Sequence, residues 1–444
     1  MIVSKFGGTS VANSEAIRQV YSIVTKRSQP TFIVVSAFAK ITDTLISLVE
    51  HLKKKDIYSV SNTIDRIFDR HFNTAKELGI DVKINDFLHS KKEELHLICN
   101  ALTILGEISP RSIDLILSYG ELLSSYLIYL FFLSNGHKIV YVDPREIIKT
   151  DSNFTGAEVD FKATKMAINQ FMQSINEIDL IITGGFVGSN SEGITTTLGR
   201  GGSDYSAAVI ASVIGASELE IWTDVDGIMT TDPNLVPSAK VLEAVTYNEA
   251  SEMAIFGAKV LHPKTIFPAI EKRIPVFVKN TFKPDGKGTL ISYKPSRKKE
   301  VKAITFRKNV TVINIRSNRM LGAYGYLARV FEIFKRFETE VDLVSTSEVS
   351  ISLTVNDTKH LALIVKELRE ISEVEVLENY MVVAVIGEGL KNSSKVASRI
   401  FNTLQNIKIQ MVSMGASDIN LSIVVREEDM KESVRLLHKE FFGL

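Results

Sequence analysis

Thr195-Thr-Thr-Leu-Gly-Arg-Gly-Gly-Ser-Asp204 is the stretch that decides how this chain folds. Three hydroxyls lead into Gly199, Arg200, Gly201, Gly202, Ser203 and Asp204, and an apolar run of helical character follows from Ala207 to Ile214. Glycines let a backbone approach a ligand closely with its N–H groups turned inward. A helix that starts just after them adds a positive dipole end. Arg200 offers a planar fork suited to a carboxylate or phosphate, and Asp204 an anion for an ammonium or a hydrogen-bond network. Two glycines before a helix usually mean only a turn. Here Asp179-Leu-Ile-Ile-Thr183 reads as a strand just upstream, with Gly184-Gly185-Phe186 as its loop, and the combination points to a ligand site.

The remaining composition narrows the class. The chain has 444 residues, enough for two or three domains. Apolar residues make up 45% and charged residues 23%, as in an ordinary globular protein. Lys plus Arg and Asp plus Glu both count 52, so no global field favours nucleic acid or an anionic membrane. The single cysteine, Cys99, excludes an intrachain disulfide framework and a cysteine-rich metal site, and its apolar neighbours make it a core residue. No signal-peptide layout opens the chain, and the most apolar run, Tyr126 to Leu133, is too short to span a bilayer. A cytoplasmic protein is expected, without nucleic-acid or membrane partners.

Upstream, Met1 to Lys5 reads as a strand, Gly7-Gly8-Thr9-Ser10 as a turn, and Ser14 as the cap of a helix carrying Ala16, Ile17, Val20 and Val24 on one face. Strand, glycine turn and helix is a layout that seats phosphate oxygens on backbone N–H groups, and Lys5 stands within reach of the same place. It does not match the Walker-type phosphate loop. Thr31 to Ser36 is a continuous apolar strand, Ala37 to Asp43 a loop carrying Thr42, and Val60 to Leu78 and Ile84 to Leu105 are helical zones. His71 falls at helical spacing in the first zone and reads as a packed or half-exposed helix residue, not a ligand. Tyr119-Gly120-Glu121 precedes a helix from Leu122 to Leu133, and Lys138 to Asp143 is a strand.

Downstream, Leu219 to Asp224 is a strand, followed by a loop from Val225 to Pro237 and helices around Ala250 and from His262 to Ile270. His262 precedes Pro263 in a helix-start arrangement and has no partner at metal spacing. Ile274 to Lys279 is a further strand. Strands alternating with helices predict a doubly wound, mainly parallel α/β domain, with ligands at the carboxyl ends of its strands. Composition changes between Pro284 and Lys299, which places a boundary near Lys294 and a first domain over 1–294. The remainder reads as β-α-β-β-α twice: 295–380, with Val341 to Val344 and Ser350 to Val355 as strands, and 381–444, with its first strand at Met381 to Ile386. The pair reads either as structural modules or as ligand sensors.

Four motifs together resemble the aspartokinase family. They are Lys5-Phe-Gly-Gly-Thr-Ser-Val11, Thr195 to Tyr205, Trp222-Thr-Asp224, and Phe256-Gly-Ala-Lys-Val-Leu-His-Pro263. The resemblance spans nearly the whole chain and is strongest to the monofunctional, lysine-sensitive type. It implies an amino acid kinase fold followed by two α+β, ferredoxin-like ACT modules. It also implies ATP with Mg²⁺, transfer of the γ-phosphoryl group to L-aspartate, and 4-phospho-L-aspartate as product, the first step toward lysine, threonine, methionine and diaminopimelate.

By the same resemblance Lys5, Arg200 and Asp204 carry catalysis. Thr42, Glu121, Phe186, Arg200, Gly201 and Ser203 bind the substrate. Lys5, Gly7, Gly8, Ser10, Thr223, Asp224, Met229, Asn234, Lys259 and Val260 receive ATP. Lysine sits near Met320, Ala323, Tyr326, Leu327, Val341, Asp342, Ser347 and Glu348, with Asp342 and Glu348 suited to its ammonium. No protein-held metal is expected, nor a general base, because a carboxylate acceptor is already ionised at neutral pH. Met229 and Asn234 replace a Tyr and an Arg of the family type, which predicts weaker ATP binding. Gly322 and Ala323 replace a His and a Ser, which predicts weaker lysine binding. A homodimer through the first module, or a tetramer, is expected. Another amino acid kinase, acting on glutamate, N-acetylglutamate, carbamate or a nucleoside monophosphate, and a catalytically silent amino-acid sensor are the alternatives; the Lys5-Phe-Gly-Gly-Thr-Ser10 start and the paired modules favour aspartate, and the charged site residues count against a silent sensor.

Overall fold

The computed structural model describes residues 1–175, 178–257, 261–293, 300–320 and 324–443. Contacts divide the chain into two compact units. One comprises Met1–Ile228, Glu243–Tyr247 and Val260–Lys294; the other comprises Met229–Leu242, Asn248–Lys259 and Pro295–Leu444. A single cut near Lys294 is therefore not how the chain is partitioned: the segment after Ile228 already leaves the first unit.

The first unit is built on an eight-stranded sheet. Its strands are β1 (Ile2–Phe6), β2 (Thr31–Val35), β3 (Ile139–Tyr141), β4 (Leu180–Gly184), β7 (Leu219–Thr223), β8 (Ala244–Thr246), β9 (Val276–Asn280) and β10 (Thr289–Ser292). A separate hairpin pairs β5 (Val187–Ser189) with β6 (Thr195–Thr197). The sheet order is β3-β4-β2-β1-β7-β9-β10-β8, and every pairing is parallel except β9 with β10. β1, β2 and β4 are buried along their whole length, which is why they read as unbroken apolar runs.

Helices α1 (Ser14–Thr25), α2 (Ile41–Lys53), α3 (Ile57–Leu78), α4 (Asp81–Leu105), α5 (Pro110–Ser134), α6 (Pro144–Ile147), α7 (Phe161–Ser174) and α8 (Gly202–Ile214) connect these strands; α9 (Tyr247–Ile255) and α10 (Pro263–Glu271) follow. α1 is capped by Asn13, whose side chain accepts from the Ala16 N–H, and not by Ser14. α2 begins inside the stretch expected to be a loop, so Thr42 lies in a first helical turn. α5 replaces the shorter helix expected from Leu122: Gly120 and Glu121 lie within it. Gly120 is needed there because a Cβ would stand 2.8 Å from the Ala37 Cβ. α5 is long and apolar enough to cross a membrane, but 83% of that window is buried in the protein's own interior, where Ile116, Leu123, Leu127 and Phe132 join the core. Cys99 is buried there too, and burial pushes its thiol up to about 12. His71 is fully buried, stacked on Phe38 at 4.5 Å and held neutral by burial.

The second unit contains one antiparallel sheet, not two. Its strands are β11 (Ala303–Arg316), β12 (Val344–Thr346), β13 (Ser350–Val355), β14 (Glu373–Ile386), β15 (Ile409–Met414) and β16 (Asn420–Arg426), in the order β12-β13-β11-β14-β16-β15. β12 begins at Val344, so the strand expected over Val341 to Val344 starts three residues late. β11 and β14 are 14 residues each and run through both halves of the sheet. The half from Val310 to Arg316 pairs with Glu373 to Tyr380, and the half from Ala303 to Arg307 with Val382 to Ile386, with register shifts between them. Two cores result. Ile313, Ile315, Ile351 and Leu353 pack with α11 (Tyr326–Arg336) and α12 (Leu361–Arg369); Ile304, Val383, Val385 and Ile423 pack with α13 (Ser394–Thr403) and α14 (Glu427–Phe442). The second module therefore takes its first strand from residues before the first module, and 295–380 is not a self-contained piece. Leu235 and Val236 also belong to the second core, and Thr230 is tied to it by the Ile304 N–H at 2.8 Å and by His438 at 3.0 Å.

Candidate active site

The site lies in the first unit, at the carboxyl ends of β1, β2 and β4, around a cavity of about 540 Å³. β1 delivers Lys5, whose Nζ is 2.7 Å from Asp204 Oδ1; both side chains are nearly buried. Asp204 lies in the first turn of α8, where the dipole favours a negative charge. Gly201 is the N-cap of α8; its φ of 76° is in the left-handed region, and an added Cβ there would meet Thr265 Cγ2 at 2.7 Å. Just before it, Arg200 is exposed on the cavity and has no ion-pair partner among the described residues.

The loop after β4 interlocks with the start of α8. A Cβ on Gly185 would stand 2.6 Å from Ser203 Cα and Cβ, and one on Gly202 would stand 2.7 Å from the Phe186 ring. Phe186 adopts a φ of 61° and donates its N–H to Ser206 Oγ at 3.0 Å. The loop after β2 is fixed from outside by Arg70, which donates to the carbonyls of Ala39 at 2.6 Å and Ala12 at 2.8 Å.

Glu121 points into this cavity from α5. It is buried, and its Oε2 has no hydrogen-bond partner among the described residues. Burial pushes its carboxyl up to about 8, against the weaker pull of the Ala37 and Glu121 backbone N–H groups and of Lys5. A buried acid with an unpartnered oxygen, lining the same cavity as an arginine that lacks an anion among the described residues, suits a ligand carrying an ammonium and a carboxylate.

Of the residues expected in the site, Lys5, Gly8, Thr42, Glu121, Phe186, Arg200, Gly201, Ser203 and Asp204 line the one cavity. Gly7 does not line it; its N–H donates to the Trp222 carbonyl at 3.0 Å. Ser10 is turned away: its buried hydroxyl donates to the Trp222 carbonyl and shares a 2.6 Å bond with Thr281. It braces the turn and does not face the cavity. Thr223 and Asp224 end the neighbouring β7, and Thr223 Oγ1 bonds Asp224 Oδ1 at 3.2 Å. Met229 and Asn234 belong to the second unit, where the Asn234 amide turns back onto Asp232 Oδ1 at 3.0 Å. Lys259 and Val260 lie outside the described residues, as do Gly322 and Ala323.

In the second unit, Asp342 already has partners: Arg307 at 2.7 Å and Asn356 at 2.9 Å. Met320 and Val341 are half-buried, Tyr326 is buried, and Leu327, Ser347 and Glu348 are exposed. Asp114, Lys40 and Thr155 were not singled out from the sequence, although the last two line the cavity, as does Thr197 of the opening stretch. The available signal for Asp114 was its position seven residues before Glu121, on the same helix face.

A mainly parallel sheet with a charged, glycine-framed cavity at the carboxyl ends of its strands, in a chain that also carries an ACT-like α+β unit, defines a small-molecule kinase of the amino acid kinase class. A model of the amino acid kinase family matches residues 1–280, and an ACT domain model matches 383–441. The chain is 38% identical to the lysine-sensitive aspartokinase 3 of Escherichia coli over 100% of this chain and 99% of that one. It is 35% identical to the chloroplastic aspartokinase 2 of Arabidopsis thaliana, covering 99% of this chain and 84% of that one. Its fold superposes on the crystal structure of E. coli aspartokinase III with aspartate and ADP at a TM-score of 0.86 and 37% identity, with both chains fully covered. The chain belongs to the aspartokinase family.

Proposed function

We propose that the cavity over Lys5 and Asp204 phosphorylates L-aspartate. The observation that carries the residue assignment is the convergence of Lys5, Glu121, Arg200 and Asp204, from four separate segments, on one cavity. Arg200 takes the α-carboxylate and Glu121 the α-ammonium, so the side-chain carboxylate is turned toward Lys5. That carboxylate is the nucleophile; it attacks the γ-phosphorus of ATP, the bond to the ADP oxygen breaks, and 4-phospho-L-aspartate forms. Lys5 offsets charge that builds on the transferring oxygens, and Asp204 holds the ammonium in place. Rate comes from positioning and electrostatics, with no proton to remove.

Thr223, Asp224, Met229, Asn234, Lys259 and Val260, with Gly7 and Gly8, are assigned to the nucleotide from the family resemblance. Among the described residues no group of three or more metal-ligating side chains occurs. By the family resemblance Mg²⁺ comes bound with the nucleotide, where it would neutralise phosphate charge. Lysine is assigned as an inhibitor at Met320, Ala323, Tyr326, Leu327, Val341, Asp342, Ser347 and Glu348. E. coli aspartokinase III has been crystallised with lysine and aspartate, and this chain matches that structure at a TM-score of 0.84. Exposed Tyr324, Leu327 and Phe331 beside the first core support pairing of two copies there, as a homodimer or within a tetramer. The assignment carries a cytoplasmic location with it. Steady-state kinetics of Arg200→Ala and Glu121→Gln test the site: both are expected to raise the KM for aspartate well above that of the unmodified chain, and unchanged values would overturn the assignment.

A further inference from the structure

Asp114 is fully buried, yet every donor that reaches its carboxylate is neutral. The Thr155 N–H approaches both oxygens at 3.0 Å, the Thr197 N–H reaches Oδ2 at 2.9 Å, and the Thr197 hydroxyl reaches Oδ1 at 2.6 Å. Burial raises its carboxyl, and these three donors pull it back down. A carboxylate taken out of water without a cation is costly to keep, so a hydrophobic residue would serve mere packing better.

What these three donors belong to is specific. Thr155 sits at a φ of 72°, and its carbonyl lies 3.3 Å from where a Cβ on Gly199 would be. Thr197 ends β6 and accepts the Ala157 N–H at 2.9 Å. From Thr197 the chain runs in three residues to Arg200. Asp114 itself lies two turns before Glu121 on α5, so one helix carries both the acid that faces the ammonium and the anchor of the loop that carries Arg200.

We propose that Asp114 is a positioning residue for the acceptor: by tying the Thr155 turn and the end of β6 to α5, it sets the span between Glu121 and Arg200, and so selects an acid of aspartate's length. The proposal rests on the assignment of those two residues to the substrate. Nucleotide contacts are not part of the span, so they should be spared.

The test is steady-state kinetics of the full chain with aspartate and ATP varied separately, for Asp114→Asn, Thr197→Val and Arg200→Ala. An asparagine keeps one acceptor and turns an NH₂ toward backbone N–H groups, so at least one buried donor loses its partner. Asp114→Asn is expected to raise the aspartate KM about tenfold while the ATP KM stays within about twofold. Thr197→Val, which removes only the hydroxyl donor, is expected to move it the same way by less, and it decides the matter if Asp114→Asn does not fold. An unchanged aspartate KM, an equal rise in both KM values, or a fall in melting temperature alone would overturn the proposal. If Arg200→Ala raises the aspartate KM and the other two do not, only the positioning role fails; if Arg200→Ala also leaves it unchanged, the site assignment fails with it.

Discussion

Glu121 is the residue whose chemistry is most sensitive to conditions. Its carboxyl is raised to about 8 by burial, so in the free protein it is protonated at neutral pH. An incoming ammonium needs the carboxylate form, and binding at pH 7 should therefore release a proton. We predict that kcat/KM for aspartate rises with pH and levels near 8, and that Glu121→Gln abolishes that limb; the same limb in the variant would contradict the assignment. The stability linkage of the free protein runs the opposite way. A raised folded-state pKa contributes stability that is complete below the ordinary value of 4.5 and is lost as pH rises through about 8. The gain in melting temperature on adding aspartate should accordingly grow across that window. Lys5 carries the other charge-dependent step. Lys5→Ala should lower kcat by about 10²–10³ with a much smaller change in the aspartate KM, as expected for a group that acts mainly on the transition state. Arg200, Gly201, Ser203 and Asp204 were legible because consecutive glycine and charged residues before a helix have few other uses. Asp114 was not, because a lone acid inside a helix pattern carries no local mark of burial.

At the scale of elements, the site depends on loops that touch closely. Gly185 faces the Ser203 backbone so nearly that an added Cβ would lie 2.6 Å from it, and backbone cannot step aside. Gly185→Ala should cost about 1–3 kcal/mol of stability. It should also raise the aspartate KM, as read by thermal unfolding and kinetics. The segment from Met229 to Leu242 has Thr230, Leu235 and Val236 anchored in the second unit's core, while among the described residues the Asn234 amide is engaged only with Asp232. Asn234→Arg should lower the KM for ATP by restoring a cation; an unchanged value would sever this loop from the nucleotide. Strand periodicity was easy to read in β1, β2, β4 and β7, since each is a short apolar run ending in polar residues. α2 was not read as a helix, and α5 was read as starting at Leu122 where it starts at Pro110. Lys40 enters α2 with a φ of 67°, and Gly120 lies within α5 because Ala37 presses against it. Gly120, of a residue type that usually marks a turn, serves there in close packing between elements distant in sequence.

At the scale of the whole chain, the duplication of the C-terminal half was visible, but its threading was not. β11 and β14 each serve both cores, and nothing in a linear pattern tells that Ala303 to Arg307 will pair with Val382 to Ile386. The effector assignment also acquires a competitor from within: Arg307 occupies the Asp342 carboxylate intended for a lysine ammonium. If lysine must displace it, Arg307→Met should lower the lysine concentration needed for half-inhibition, and a higher one would show that Asp342 needs the arginine to be in place. The most direct measurement is of the reaction itself. The full chain is incubated with ATP, Mg²⁺ and L-aspartate, and the acyl phosphate is trapped with hydroxylamine, beside the Lys5→Ala variant. Aspartyl hydroxamate formed by the unmodified chain and nearly lost in the variant is the predicted result. No hydroxamate from aspartate, or the same yield without Lys5, would contradict it.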